Sequence, residues 1–298
     1  FRHMKYLITG AGGFIGSHVV ELLLNAGHEV RALAHYNSFG SWGHLEGSPA
    51  AAHAKLEVRL GDVTDFSMMR TLVEGCDAVL HLAALIGIPY SYHAPASYVA
   101  TNVSGTLNVL EACRAASVRR VVITSTSEVY GTARYTPIDE KHPLQGQSPY
   151  SASKIAADKL AEAYFCSFDL PVVTLRPFNT FGPRQSARAV IPTVLTQALN
   201  GAAEIRLGHL DPKRDLTFVE DTARAFLAAA ETPGIEGEVI HFGQGQAVSV
   251  GELAQRCLDA VGSKAQVISV PERQRPELLT QGQKQQSRPS LRTLQSLR

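Results

Sequence analysis

The chain has 298 residues, 28 Lys and Arg against 27 Asp and Glu, a formal charge of +1, and 45% hydrophobic residues. So even a balance gives no electrostatic pull toward nucleic acid or an anionic membrane, and no apolar run reaches the roughly 20 residues needed to cross a bilayer. The length suffices for one large core, or one core plus a smaller lobe. Cys76, Cys113, Cys166 and Cys257 are far apart, with no C-x-x-C, and the 11 histidines form no ligand spacing. Reduced thiols, no metal and a cytoplasmic location are the expectation. Phe1-Arg2-His3 ahead of Met4 read as an extraneous extension, and no signal peptide follows them.

Short β-branched or leucine-rich runs at 6–9, 29–33, 56–59, 78–82, 121–124 and 172–175 predict strands. Periodic apolar patterns at 17–26, 97–116 and 150–167 predict helices between them. Such alternation argues an α/β fold, a doubly wound parallel sheet whose ligand site lies at the carboxyl ends of the strands. From about Asn179 the chain becomes Gly- and Pro-punctuated, with helices expected at 189–200 and 250–260 in a smaller lobe. A helix at 221–232 and a strand at 239–243 return to the main sheet, so the units interleave. Residues 4–178 with 215–245 are expected to form the dinucleotide-binding domain, 179–214 with 246–276 the smaller lobe, and 277–298 an atypical polar tail. No repeat of solenoid period is visible.

Two segments carry chemistry. Gly10, Gly13 and Gly16 follow a G-x-x-G-x-x-G spacing, with Phe14 and Ile15 inside it, directly between the first strand and the first helix. That spacing allows a tight turn, close approach of backbone to a pyrophosphate and packing of helix on strand. The second segment is Ser125-Thr126-Ser127-Glu128-Val129-Tyr130-Gly131 with Tyr150-Ser151-Ala152-Ser153-Lys154. A phenol is a poor base at its reference pKa of about 10, and a lysine ammonium one helical turn away on the same face favours the phenolate. Such a tyrosine can take a proton from a sugar hydroxyl while hydride leaves the same carbon.

Together these motifs resemble the extended short-chain dehydrogenase/reductase family, with its Rossmann-type sheet, and within it the nucleotide-sugar 4,6-dehydratases. The resemblance runs from about Met4 to about Pro276 and includes Gly61-Asp62-Val63, His81-Leu82-Ala83-Ala84, Arg176-Pro177-Phe178-Asn179 and Arg214-Asp215 leading into Val219-Glu220-Asp221. It implies an NAD(P)-dependent enzyme that keeps its cofactor and regenerates it each cycle, with a nucleotide sugar as substrate. By the same resemblance Gly10, Gly13, Phe14, Ile15, Gly16, His35, Asp62, Val63, Leu82, Ala83, Ala84, Thr124, Tyr150, Lys154 and Pro177 hold the cofactor. Thr126, Glu128, Tyr150 and Lys154 would be catalytic, and Thr126, Ser127, Glu128, Asn179, Arg214 and Arg275 would bind substrate. In glucose-nucleotide dehydratases an aspartate precedes the glutamate; here Ser127 stands there, as in the Thr-Ser-Glu order of GDP-mannose dehydratases, so Glu128 would serve both elimination steps.

Where NAD-binding relatives end the second strand with an acid, this chain reads Arg31-Ala32-Leu33-Ala34-His35-Tyr36-Asn37. Without that carboxylate both NAD and NADP remain open, and Arg31 and His35 are candidates to attract a 2′-phosphate, although Arg31 lies inside the strand, where its side chain can point elsewhere. The following Asn37-Ser38-Phe39-Gly40-Ser41-Trp42-Gly43 resembles a loop of bacterial dehydratases of legionaminic-acid-type pathways, which implies an N-acetylhexosamine nucleotide. UDP-glucuronate decarboxylation and 4-epimerisation use the same redox pair and stay open, as does a cofactor-binding scaffold without turnover. His241 stands where relatives carry asparagine, which puts nucleobase contacts from that strand in question. After Arg273-Gln274-Arg275-Pro276 the chain departs from the family in a Gln- and Arg-rich tail, expected as a solvated face. Apolar and small residues on more than one face of the 97–116 and 150–167 helices predict a homodimer.

Overall fold

The computed structural model describes residues 3–270, so Arg275 and the polar tail lie outside the described residues. In chain order the elements are β1 (Lys5–Thr9), α1 (Phe14–Asn25), β2 (Glu29–His35), β3 (Leu56–Gly61), α2 (Phe66–Val73), β4 (Ala78–His81), α3 (Ile88–Ser91), α4 (Pro95–Tyr98), α5 (Gly105–Ala116), β5 (Arg120–Thr124) and α6 (Pro149–Phe168). They continue through β6 (Val172–Pro177), β7 (Asn179–Phe181), α7 (Val190–Leu199), β8 (Glu204–Leu207), β9 (Lys213–Phe218), α8 (Val219–Glu231), β10 (Val239–Phe242), β11 (Ala247–Ser249), α9 (Val250–Val261) and β12 (Gln266–Ser269). Each strand and helix expected from sequence is present within a few residues. The helix expected at 97–116 is composite, α4 passing through a π-helical stretch, Val99–Ser104, into α5.

Seven strands form one parallel sheet in the order β10-β6-β5-β4-β1-β2-β3. Winding reverses between β1 and β4, and at such a switch point the carboxyl ends of neighbouring strands open a crevice. Strand alternation feeds two cores: Tyr6 and Ile8 of β1 join the apolar cluster under α1 and α8, whereas Leu7 joins the cluster under α2, α5 and α6. A β11-β9-β7 sheet and a β12-β8 pair make up the rest, packed by α7 and α9 over Val194, Ile205, Leu253 and Leu258. β9 runs unbroken across residues 214 and 215, from Lys213 to Phe218.

The turn after β1 shows why glycine occupies it. Gly10 has φ +68°, and a Cβ there would lie 2.7 Å from the Ala83 nitrogen at the end of β4. A Cβ on Gly16 would lie 2.2 Å from the Gly10 carbonyl oxygen, so α1 sits on the turn at a distance only glycine allows. Gly16→Ala is expected to destabilise the fold by about 1–3 kcal/mol, because backbone on both sides cannot yield as a side chain would. A thermal melt coincident with that of the parent would contradict this packing.

Candidate active site and cofactor cradle

The glycine turn delivers α1 with its N-terminus toward the switch point. Gly13 is the N-cap and makes no side-chain capping bond, and no acid lies in the first turn. The leading backbone N–H groups of α1, those of Phe14, Ile15 and Gly16, have no intrahelical acceptor by helix geometry. Together with the turn they form a cradle for a pyrophosphate, which fits a dinucleotide.

At the adenosine end, His35 closes β2 with its side chain 78% exposed, and its Nδ1 stands 3.6 Å from an Asp62 carboxylate oxygen. The other Asp62 oxygen accepts from the Thr64 N–H at 2.9 Å and hydroxyl at 2.8 Å. A carboxylate absent from β2 is thus brought beside its end by β3. Arg31 points away from it, the outcome that its place inside the strand left open. Its Nε donates to Glu57 at 2.9 Å and its Nη1 to the Leu72 carbonyl at 2.7 Å, on the flank of the sheet. Val63, next after Asp62, has its side chain in the core, where a Cβ on Gly105 would fall 2.6 Å from it.

Leu82, Ala83 and Ala84 follow β4. The amides of Leu82 and Ala83 donate to the Thr9 hydroxyl oxygen at 3.2 and 3.1 Å. Thr9 in turn meets His81 Nδ1 at 2.8 Å, and His81 Nε2 meets the Thr106 hydroxyl at 3.0 Å, which donates to the Asn102 carbonyl at 2.7 Å. This run is complete when neutral His81 carries its proton on Nε2, and burial, then the Lys154 charge, pushes its pKa down to about 3.

The chemical residues stand at the end of β5. Thr126 caps the short 3-10 turn Ser127–Tyr130, its hydroxyl accepting from the Glu128 N–H at 3.2 Å, which presents Glu128 half-buried in the first turn. Ser127 is buried, at 3% exposure. Ser148 and Ser151 form a capping box at the start of α6 with Pro149 in its first turn, so Tyr150 and Lys154 begin a 20-residue helix with fixed entry. Tyr150 is buried, with the Tyr98 ring edge-on at 6.2 Å.

Here the electrostatics differ from the expectation. Burial holds the Tyr150 phenol above its usual value, opposed by a hydrogen bond with Thr126 and reinforced by the nearby Glu128 charge. The fully buried Lys154 ammonium donates to the Thr124 carbonyl at 2.5 Å, and desolvation draws its pKa down to about 8. The lysine is thus engaged with β5, and the phenol is held up by burial. The Thr124 hydroxyl beside it is buried with no hydrogen-bond partner, an orphaned polar group at the carboxyl end of β5 that fits a site for a further polar partner.

Pro177 ends β6, buried opposite Phe242 of β10. Asn179 and Arg214 both line an open cleft of about 900 Å³ in the smaller lobe, with Ile191, Val250 and Leu253 among its apolar walls. Asp215 holds the neighbouring turn by accepting from the Gln244 and Gly245 amides at 2.9 and 2.8 Å. Thus the turn glycines, the 82–84 segment, Thr124–Glu128, Tyr150, Lys154 and Pro177 converge on the carboxyl edge of the sheet, and Asn179 and Arg214 face the adjoining cleft.

Sequence reasoning gave no role to Asn102, Asp158 or Arg176. Asn102, buried in the π-helical stretch, accepts from the Leu85 amide at 2.8 Å and donates to the Leu85 carbonyl and the Ser153 hydroxyl, both at 2.9 Å. It ties the loop after β4 to α6. A polar residue on the buried face that also carries Tyr98 and Thr106 was the available signal. Arg176 donates from Nε and Nη2 to one oxygen of Asp158, at 3.0 and 2.8 Å, and from Nη1 to the Tyr130 hydroxyl at 2.6 Å. His241 also bonds Tyr130 and is wholly buried, so it belongs to this internal network and not to a nucleobase site.

Comparison with known proteins agrees with this geometry. Residues 7–293 match the sequence model of the GDP-mannose 4,6 dehydratase family. A dTDP-glucose 4,6-dehydratase of Actinoplanes sp. is 35% identical over 271 residues, spanning 89% of this chain and 84% of that protein. A UDP-glucose 4-epimerase of Streptomyces lividans is 34% identical over 289 residues, with 91% and 85% covered. The solved UDP-glucuronic acid 4-epimerase of Bacillus cereus, in complex with UDP-glucuronic acid and NAD, superposes with a TM-score of 0.87 at 27% identity, covering 97% of this chain and 91% of that one. The glycine cradle, the Tyr150–Lys154 helix and these matches together make the chain a member of the GDP-mannose 4,6-dehydratase family of Rossmann-fold nucleotide-sugar dehydratases and epimerases.

Proposed function

We propose that the chain is a nucleotide-sugar 4,6-dehydratase that converts an NDP-hexose or NDP-N-acetylhexosamine to the 4-keto-6-deoxy sugar. The observation that carries this reading is the placement of Glu128. It stands on the turn capped by Thr126, and Thr126 is hydrogen-bonded to Tyr150, so one short segment brings a carboxylate near the phenol that would take the 4-hydroxyl proton. A 4-epimerase needs the phenol and the lysine but has no use for that carboxylate.

NAD(P), held by the Gly10–Gly16 turn, the Asp62 and His35 edge and Lys154, would supply the acceptor for the C4 hydride and return it to C6. Tyr150 takes the proton of the 4-hydroxyl, and Thr126 donates to the oxygen that becomes the ketone. The ketone acidifies the C5 proton, which Glu128 removes and then delivers to the departing C6 oxygen, so one carboxyl group serves both halves of the elimination. Ser127, buried in the turn, is left as a structural residue. Asn179 and Arg214 would bind the diphosphate, the guanidinium offering paired donors, with the nucleoside in the apolar cleft. The B. cereus relative's complex with NAD supports that cofactor type, and the carboxylate beside the end of β2 favours the unphosphorylated ribose.

Incubation with a panel of UDP-, GDP- and dTDP-sugars in deuterated water, read by mass spectrometry, tests the reaction. A dehydratase gives a loss of about 18 mass units with deuterium at C5. Unchanged mass with a new C4 epimer would replace this reading with 4-epimerisation, which the S. lividans relative makes the second choice.

A homodimer is proposed through α5 and α6. Val99 and Leu107, along the composite helix that ends in α5, and Phe168 on α6 are 54%, 37% and 51% exposed, an apolar strip suited to a second copy. Light scattering at micromolar concentration is expected to give twice the monomer mass; the monomer mass would refute it. Among the described residues no helix is long and apolar enough to cross a membrane, and no cluster suits a metal ion.

A further inference from the structure

Lys154 and Asp158 lie one turn apart on the buried face of α6, at 2% and 4% exposure. The Asp158 carboxylate is used unevenly. One oxygen accepts from the Ser125 hydroxyl at 2.8 Å and from two Arg176 nitrogens at 3.0 and 2.8 Å. The other oxygen is buried and has no hydrogen-bond partner. An arginine facing a carboxylate ordinarily engages both oxygens as a fork, and a buried acceptor left bare costs about 1–3 kcal/mol unless a charge compensates it. The cation one turn back is Lys154, whose own acceptor is the neutral Thr124 carbonyl.

We propose that Asp158 is a positioning residue that keeps Lys154 protonated, its buried carboxylate acting across one helix turn as a counter-charge to the lysine without pairing with it directly, while Ser125 and Arg176 fix one of its oxygens. The other ionisable groups around α6 do not serve this purpose. His81 on β4 is neutral, and the charge it would gain would repel the lysine. Tyr98 beside α3 is a phenol bonded to the Gly87 carbonyl, Glu128 faces Tyr150, and Glu111 of α5 is engaged by Arg114 and Tyr164 at the far end of the helix. Arg176 on β6 is cationic and committed to Asp158 and Tyr130. Of the charges acting on Lys154, Asp158 is the one that opposes desolvation.

The inference rests on Lys154 serving hydride transfer, which dehydratase and epimerase chemistry share, and it is tested without substrate. In full-length protein loaded with NAD and labelled with carbon-13 lysine, the Lys154 Cε resonance, assigned by its loss in Lys154→Met, is followed against pH. The parent is expected to titrate near 8, as its burial implies. In Asp158→Asn the midpoint should fall by about one pH unit or more, and Asp158→Glu should restore most of it. Tyr130→Phe removes a hydrogen bond from the same network without removing the charge and should leave the midpoint in place. If Asp158→Asn does not fold, Asp158→Asn with Arg176→Gln removes both buried charges together and is expected to shift the midpoint in the same direction. An unchanged midpoint in the folded variant, or an equal fall in Tyr130→Phe, overturns the proposal. Failure of the deuterium experiment would leave this titration unaffected, so the two can fail separately.

Discussion

Tyr150→Phe is expected to abolish turnover, a loss of at least about 10³-fold, while nucleotide-sugar binding stays close to that of the parent. On the proposed mechanism the substitution deletes the atom that takes the 4-hydroxyl proton, and it keeps the ring against which Tyr98 packs at 6.2 Å. Isothermal titration of the nucleotide sugar and a turnover assay on the same preparation separate the two effects. Near-parental turnover would remove Tyr150 from the chemistry, and with it the hydride-transfer reading. The pH profile carries a matching signature. Burial holds the phenol up, so activity should rise with pH as the phenolate fraction grows, until Lys154 loses its proton near 8 and its support is withdrawn. Lys154→Ala should flatten that alkaline limb and weaken cofactor retention, measured as NAD(P) lost on gel filtration.

Much of this site is legible as sequence because its determinants are local. Residues 6–9 and 121–124 read as strands from their apolar and β-branched character, within one residue of the observed β1 and β5, and the glycine spacing between β1 and α1 states how closely the backbones must approach. The spacing of Tyr150 and Lys154 likewise fixes a shared helix face. What escaped depends on partners far away in the chain. The side Arg31 takes is decided by Glu57 on the neighbouring strand, 26 positions on, so its presence near the end of β2 says nothing about a phosphate. The acid at that end comes from Asp62, beyond β3, for the same reason. The π-helical stretch joins α4 and α5 without a break in helical character, so the sequence pattern did not mark the turn that aims Asn102 at Leu85 and Ser153. Strands of the smaller lobe, such as Asn179–Phe181 and Ala247–Ser249, are three residues long and half-buried, too short for a period to register.

Glu128→Gln divides the reaction in two. In the proposed reaction, oxidation at C4 would rest on Tyr150, Thr126 and Lys154, none of which the substitution replaces, whereas elimination across C5 and C6 would need the carboxylate. The glutamine also keeps the backbone N–H that the Thr126 hydroxyl caps at 3.2 Å, so the turn should persist. On adding substrate, bound cofactor is therefore expected to become reduced and remain so, with near-ultraviolet absorbance rising in a single turnover and dehydrated product suppressed by about 10²- to 10⁴-fold. Removing the carboxylate takes away a charge that disfavours the Tyr150 phenolate, so the oxidation itself should be no slower than in the parent. Ser127→Ala should lose far less activity, since that hydroxyl is buried in the turn at 3% exposure. Full dehydration by the glutamine variant would show that another group removes the C5 proton. A collapse of both variants together would instead make Ser127 a proton donor to the leaving hydroxyl, dividing between two residues the work assigned here to Glu128 alone.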